Sequence, residues 1–236
     1  MQRDDKMTIY LKWFPNSWFQ IKTEDKIIYI DPAYLKTMFN DYPKKAIVEK
    51  LPENLEKADM ILVTHEHQDH CNPATVNTLK QPYTHVIAPK ACANELDEVT
   101  NVVKPGEEIS YDNIKIKVVD AYNTKQGHST MKLHEKGKSV GYLITLDGKR
   151  IYHAGDTDIV PEMKDFGHVD VALVPIGGTF TMDMKEAVDA VMAIGPKVVI
   201  PMHMKDADPY EFKKIVEEKS DIKVVPLEIG EVYKLD

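Results

Sequence analysis

Two hydrophobic periods share the chain, and strand-length runs dominate. Alternating or continuous apolar stretches rich in β-branched and aromatic residues predict strands over 8–14, 18–23, 26–30, 59–64, 85–88, 102–103, 108–111 and 114–121. The second half adds 139–145, 150–153, 169–176, 197–201, 223–225 and 231–235. Polar pairs at Glu24-Asp25, Asp112-Asn113 and Asp147-Gly148 read as tight hairpin turns. Helical signals are fewer. Pro73–Leu79 follows a capping Asn72, Pro209–Lys219 follows a capping Asp208, and Pro89–Leu96 reads as a third helix. In Met182–Ile194 the residues Ala187, Val188, Val191, Met192 and Ile194 recur at helical spacing. Tyr34–Lys50, interrupted by Pro43, reads as a long surface loop with a helical turn, and Leu51–Lys57 as a short helix or turn. Asn123–Lys138 is polar and follows no period.

The order of these elements carries a coarse symmetry. Each half begins with a meander and ends with strands alternating with helices, which predicts two packed sheets with helices outside them. No low-complexity linker divides the chain, so one domain over residues 1–236 is expected. The hydrophobic fraction of 43% beside 29% charged residues is that of an ordinary globular protein. The net charge of −8 argues against a nucleic-acid partner, which needs clustered Lys and Arg. Two cysteines, Cys71 and Cys92, make no metal-binding pair and no disulfide scaffold. With no signal-peptide pattern at Met1–Lys6 and no apolar run of membrane-spanning length, a cytoplasmic location is expected. Met7 offers an alternative start.

The chemistry begins where the run Met60-Ile61-Leu62-Val63 stops. Thr64-His65-Glu66-His67-Gln68-Asp69-His70 packs three imidazoles and two carboxylates into six residues at a strand end. These are the usual donors to zinc and related ions. Three further loops after predicted strands carry His128, Asp156 and His203. Strand ends at one sheet edge converge, so seven groups (His65, His67, Asp69, His70, His128, Asp156 and His203) are enough for two ions. The protease pattern H-E-x-x-H is not met, because Asp69 stands where its second His is required. Glu66 is therefore expected to point away from the metal, between His65 and His67 on the other side of an extended segment. His85, His134 and His168 read as surface histidines, His153 as a buried neighbour of the ligands, and Cys71 as a small buried residue. Thr64 and Asp59 are candidates to support the ligand loop. Gly177-Gly178-Thr179 reads as a plain strand-to-helix turn. No G-x-S-x-G, G-x-G-x-x-G or P-loop pattern occurs.

The motif His65-x-His67-x-Asp69-His70, with a later His, the Gly155-Asp156 turn and a final His203 after Pro201-Met202, resembles the metallo-β-lactamase superfamily. The resemblance runs from Ile30-Asp31-Pro32 to His203. Gly127-His128-Ser129, His153–Thr157, Pro175-Ile176-Gly177 and Thr181-Met182 are most similar to the metal-dependent hydrolases grouped with ascorbate-phosphate lactonase and N-acylphosphatidylethanolamine phospholipase D. It implies an α/β (α+β) fold, a four-layer αββα sandwich of two mixed sheets flanked by helices. It implies two divalent ions, Zn2+ first, with Mn2+ or Fe2+ as alternatives. His65, His67 and His128 would hold one, Asp69, His70 and His203 the other, with Asp156 bridging. It also implies hydrolysis of a small ester, lactone or phosphodiester by a metal-bridged hydroxide, with Asp69 as the catalytic carboxylate. Many members of that branch carry a Gly-His pair where this chain has Pro15-Asn16-Ser17-Trp18.

Lys125, Lys132, Thr179 and Lys205 lie near predicted ligands and could meet a phosphorylated or otherwise anionic small-molecule substrate. A homo-oligomer is compatible with this reading. A nuclease of the same fold is the first alternative, for which the chain lacks an extended basic face. A non-catalytic or redox metal protein is the second.

Overall fold

A computed structural model describes residues 8–34 and 54–236. The loop expected over 34–50, apart from Tyr34 itself, and the first part of the turn expected over 51–57 lie outside the described residues, as does Met7.

The first seven-stranded sheet starts with an antiparallel meander, β1 (Ile9–Trp13), β2 (Phe19–Lys22) and β3 (Ile27–Ile30). It continues in parallel through β4 (Met60–Leu62), β5 (His85–Pro89) and β6 (Asn101–Val103). The second sheet repeats that plan. An antiparallel meander of β7 (Glu108–Tyr111), β8 (Ile114–Ala121), β9 (Ser139–Leu146) and β10 (Lys149–His153) leads into the parallel strands β11 (Val171–Pro175), β12 (Val198–Met202) and β13 (Lys223–Val224). The last strand, β14 (Val232–Leu235), leaves the second sheet and pairs antiparallel with β1 in the first.

Period-two alternation explains why these short strands stay put. On β4, Met60 and Leu62 enter the core between the sheets, while Ile61 and the following Val63 face the outer side. On that outer side α1 (Pro73–Leu79) covers them with Val76 and Leu79. A strand buried on both faces must be apolar throughout, and β4, β11 and β12 are. Helices α2 (Met184–Ile194) and α3 (Pro209–Lys219) cover the second sheet through Ala187, Val188, Val191, Phe212 and Val216. The order is therefore helix, sheet, sheet, helix, the expected four layers. Each helix starts where a side chain satisfies a free backbone N–H: Asn72 accepts from Thr75, Asp183 from Glu186 and Asp208 from Tyr210.

Two local expectations change. The helix expected over 89–96 is one short 3-10 turn at Cys92–Asn94, because β5 already runs through Pro89 and leaves too few residues for an α-helix. Pro161–Asp165 forms a second 3-10 turn that no periodicity announced.

The sheets are also joined by a polar contact. The buried Tyr142 of β9 donates its hydroxyl to the carbonyl of Val63, at 2.6 Å, just past β4. Burial holds the phenol pKa well above its ordinary value. The strand end that launches the histidine loop is thus tied to the opposite sheet. Tyr142→Phe should lower unfolding stability by about 1–3 kcal/mol, the cost of leaving the buried Val63 carbonyl without this partner, read as a lower urea midpoint at unchanged slope.

Candidate metal centre

The residues after β4 turn sharply. The backbone N–H groups of His70 and Cys71 both bond the carbonyl of His67, which closes the loop on itself. His65 and His70 are buried, His67 and Asp69 half-buried, and Glu66 is exposed. Asp156 arrives from the loop after β10. There Gly155, at φ 62°, lets the backbone pass where a Cβ would lie 2.8 Å from the carbonyl of Val140 and 3.1 Å from Thr64. His203 follows β12 with its own backbone left-handed at φ 46°. Its carbonyl fills the space beside Gly177, where a Cβ would approach to 2.4 Å. The Gly177-Gly178 turn is therefore a close-approach site against the His203 loop, more than a simple connection.

The structure brings six of the seven expected groups together and leaves one out. His128 is exposed, with its Nδ1 2.9 and 3.0 Å from the two Asp183 carboxylate oxygens, and its backbone N–H donates to Glu186. The histidine that stands with His65 and His67 is His134, only 3% exposed. His65 Nε2 is 3.0 Å, and His134 Nε2 3.2 Å, from His67 Nδ1. The expected surface position of His134 is thus corrected, and the physical reason is Asn123. The Asn123 Oδ1 accepts from the His134 backbone N–H at 2.9 Å and sits 3.1 Å from His134 Nδ1. Its Nδ2 reaches the Phe180 carbonyl at 2.9 Å. One amide side chain thereby pins an aperiodic segment so that His134 turns inward.

Asp156 lies between two sets of donors. Its Oδ1 is 3.2 Å from His70 Nε2, and its Oδ2 is 3.4 Å from His203 Nε2 and 3.6 Å from His134 Nε2. Asp69 Oδ2 is 3.5 Å from both His70 Nε2 and His203 Nε2. Ligand atoms in the groups His65/His67/His134, His65/His70/Asp156 and Asp69/His70/His203 are close enough to share an ion.

The supporting contacts fix which nitrogen faces inward. Asp31, fully buried at the end of β3, holds His70 Nδ1 at 2.7 Å. It also accepts from the Thr64 backbone N–H and hydroxyl, each at 2.7 Å. Thr64 Oγ1 is 3.0 Å from His65 Nδ1. His65, His70 and His134 therefore each have Nδ1 engaged and Nε2 left for the centre, the arrangement that presets metal-binding imidazoles. Asn16, left-handed at φ 64°, donates its amide to Asp69 Oδ2 at 2.9 Å. Its carbonyl accepts from the backbone N–H of His203 at 3.3 Å. Asp59, expected to support the loop, instead accepts from the Ile27 backbone N–H, at 2.7 Å. His153 is buried, with Nε2 bonded to the Ser17 carbonyl, and Cys71 is buried. His85 stacks on Tyr111 and His168 sits by Asp170, both away from the centre.

The centre is electrostatically tense. Burial, reinforced by the charge of His70, drives His65 well below the usual imidazole pKa, and burial lowers His134 too. Burial also opposes charge on His70 and His203, but Asp156 with Asp69 outweighs it and raises both. The same coupling outweighs burial at Asp69 and Asp156 and pulls both carboxylates down. Even so, His70 Nε2, Asp156 Oδ1 and both ring nitrogens of His203 are buried without a properly aligned hydrogen bond. Orphaned donors and acceptors aimed at one point are what a cation would satisfy, so the residues fit a metal centre.

A family model described as a β-lactamase superfamily domain matches residues 10–203. The chain belongs to the metallo-β-lactamase superfamily. A relative from Pyrococcus abyssi, named UPF0173 metal-dependent hydrolase, is 36% identical over 96% of this chain and 100% of its own length. Another with that name, from Thermococcus onnurineus, is 40% identical over 78% of this chain and 84% of its own. Among solved structures, a novel metallo hydrolase from Ignicoccus hospitalis is similar at a TM-score of 0.74 and 28% identity, covering 97% of this chain and 99% of that one. The superfamily assignment and the layered fold agree with the resemblance carried by the histidine motif.

Elemental analysis of protein purified after growth in zinc should separate the two histidines. His134→Ala should lose metal relative to the wild type, whereas His128→Ala should retain the wild-type stoichiometry.

Proposed function

We propose that this metal-dependent hydrolase cleaves an ester-type bond, in a small ester, lactone or phosphodiester, at a pair of divalent ions. His65, His67 and His134 would hold one ion, and Asp69, His70 and His203 the other, with Asp156 between them. The observation that carries the reading is the buried Asp156 carboxylate, which lies within 3.6 Å of His134 of one set and of His70 and His203 of the other, amid buried polar atoms that lack partners. The donors are imidazole and carboxylate with no thiolate, a set that suits zinc, manganese or iron. Bound there, such ions supply Lewis acidity toward the scissile carbonyl or phosphoryl oxygen and make water nucleophilic near neutral pH.

The chain's own groups do the rest. Asp69 Oδ2 lies 3.5 Å from His70 Nε2 and from His203 Nε2, a place from which a carboxylate oxygen can accept a proton and pass it to the leaving group. Asn16 keeps that carboxylate from rotating away by donating to Oδ2. Asp31 and Thr64 hold the ring of His70 and brace that of His65. A small substrate is favoured over nucleic acid because the lysines around the His134 segment are neutralised. Lys132 pairs with Asp158, Lys136 with Glu162 and Lys138 with Glu135.

The test is chelation followed by reloading with zinc, manganese or iron(II), assayed against a panel of carboxylic esters, lactones and phosphodiesters. Turnover should vanish on chelation, return with one of the metals, and fall by about 100-fold or more in His65→Ala and Asp156→Ala. Full activity in the stripped protein would overturn the reading, and so would no turnover of any class by the loaded enzyme.

A further inference from the structure

Lys205 stands two residues past His203, on the loop that delivers that imidazole, and its own backbone is also left-handed, at φ 48°. Such a conformation is uncommon for a long side chain and persists where the surroundings impose it. Its stem runs over Gly177, where a Cβ would come within 3.4 Å of Lys205 Cγ. Its ammonium sits 4.2 Å from the centroid of the Phe180 ring. Lys132, Lys136, Lys138, Lys197 and Lys213 each pair with a carboxylate. Lys205 is half-buried and, among the described residues, makes no ion pair. The carboxylates acting on it electrostatically are Asp156 and Asp69 of the centre and the adjacent Asp206.

An ammonium carries three donors, and a ring face satisfies none of them as a hydrogen-bond acceptor would. In the metal-free centre Lys205 offsets part of the charge of Asp69 and Asp156. Two divalent ions would more than neutralise those two carboxylates together with the buried Asp31, and a lysine held beside them would then add to an excess of positive charge. That excess favours an anion beside the centre.

We infer that Lys205, braced by Phe180 and Gly177, binds a negatively charged oxygen group, a carboxylate or a phosphate, on the substrate beside the scissile bond. The inference rests on the hydrolase reading above and narrows its substrates to anionic esters. Phe180 is a positioning residue in this account, since it holds the ammonium in place.

The test compares two activated esters at matched zinc content: the p-nitrophenyl monoester of succinate and p-nitrophenyl pentanoate, its uncharged analogue. The wild type should prefer the anionic ester in kcat/KM. That preference should fall about tenfold in Lys205→Gln, mainly through KM, and be largely kept in Lys205→Arg. An equal preference in the wild type and Lys205→Gln would overturn the inference, as would a wild type that favours the neutral ester. If the loaded enzyme cleaves neither ester, calorimetric titration with succinate and with inorganic phosphate still decides the matter. Binding of either anion about tenfold weaker in Lys205→Gln supports the subsite and says which oxyanion it takes, and equal binding of both overturns it. Hydrolysis of both esters without charge preference would leave the hydrolase reading standing and remove this one.

Discussion

The centre depends on a single buried carboxylate. Asp31 has no exposure to solvent, and its two oxygens receive the Thr64 backbone N–H, the Thr64 hydroxyl and His70 Nδ1. A charge placed there without those partners would be too costly to keep. With them, it ties the end of β3 to the start of the histidine loop and sets the outward-facing nitrogen of one ring directly and of a second through Thr64. The fold makes the contact possible because β3 and β4 are parallel neighbours whose ends lie side by side. Asp31 itself adopts a left-handed backbone at φ 48° to turn its carboxylate under the loop. Sheet topology, backbone conformation and ring orientation are thus one constraint.

Much of this was legible in the residues. The run of apolar positions from Met60, ending in three histidines, located both the strand and the chemistry, because burial on two faces and a dense donor cluster leave strong local marks. The repeated plan of meander followed by parallel strands was likewise visible in the order of hydrophobic periods. What was not legible lies in segments with no period. Asn123–Lys138 offers two histidines in a polar context, and the choice between them is made by Asn123 and Phe180, 57 residues apart in sequence. Nothing local distinguishes His134 from His128. The signal lay in Asn123 itself, a short amide two residues past the end of β8, where a side chain that can both donate and accept is able to organise a loop. Asn16 is a similar case. Its spacing from Asp69 reveals nothing, yet the contact spans 53 residues.

The centre also shows how a protein keeps charged groups side by side. Four of its five histidines divide into two whose pKa burial lowers, His65 and His134, and two whose pKa Asp156 and Asp69 raise against burial, His70 and His203. Imidazole and carboxylate placed in this way offset the cost of burying groups that would otherwise repel or demand water. The surrounding backbone supplies rigidity: Asn16, Asp31, Gly155 and His203 all lie in left-handed conformations at the edge of the site. Positions of that kind resist small adjustments, and a ligand set carried on them keeps its spacing.

The crossing of β14 has a consequence for folding. Strand β1 has β2 on one side and β14 on the other, and β14 spans residues 232–235. Until β14 docks, β1 presents an open hydrogen-bonding edge beside an apolar face. Open edges of that kind recruit other chains. The guard on the first sheet is thus a strand that follows the whole of the second, so the edge of one sheet closes only after the chain has passed through the other.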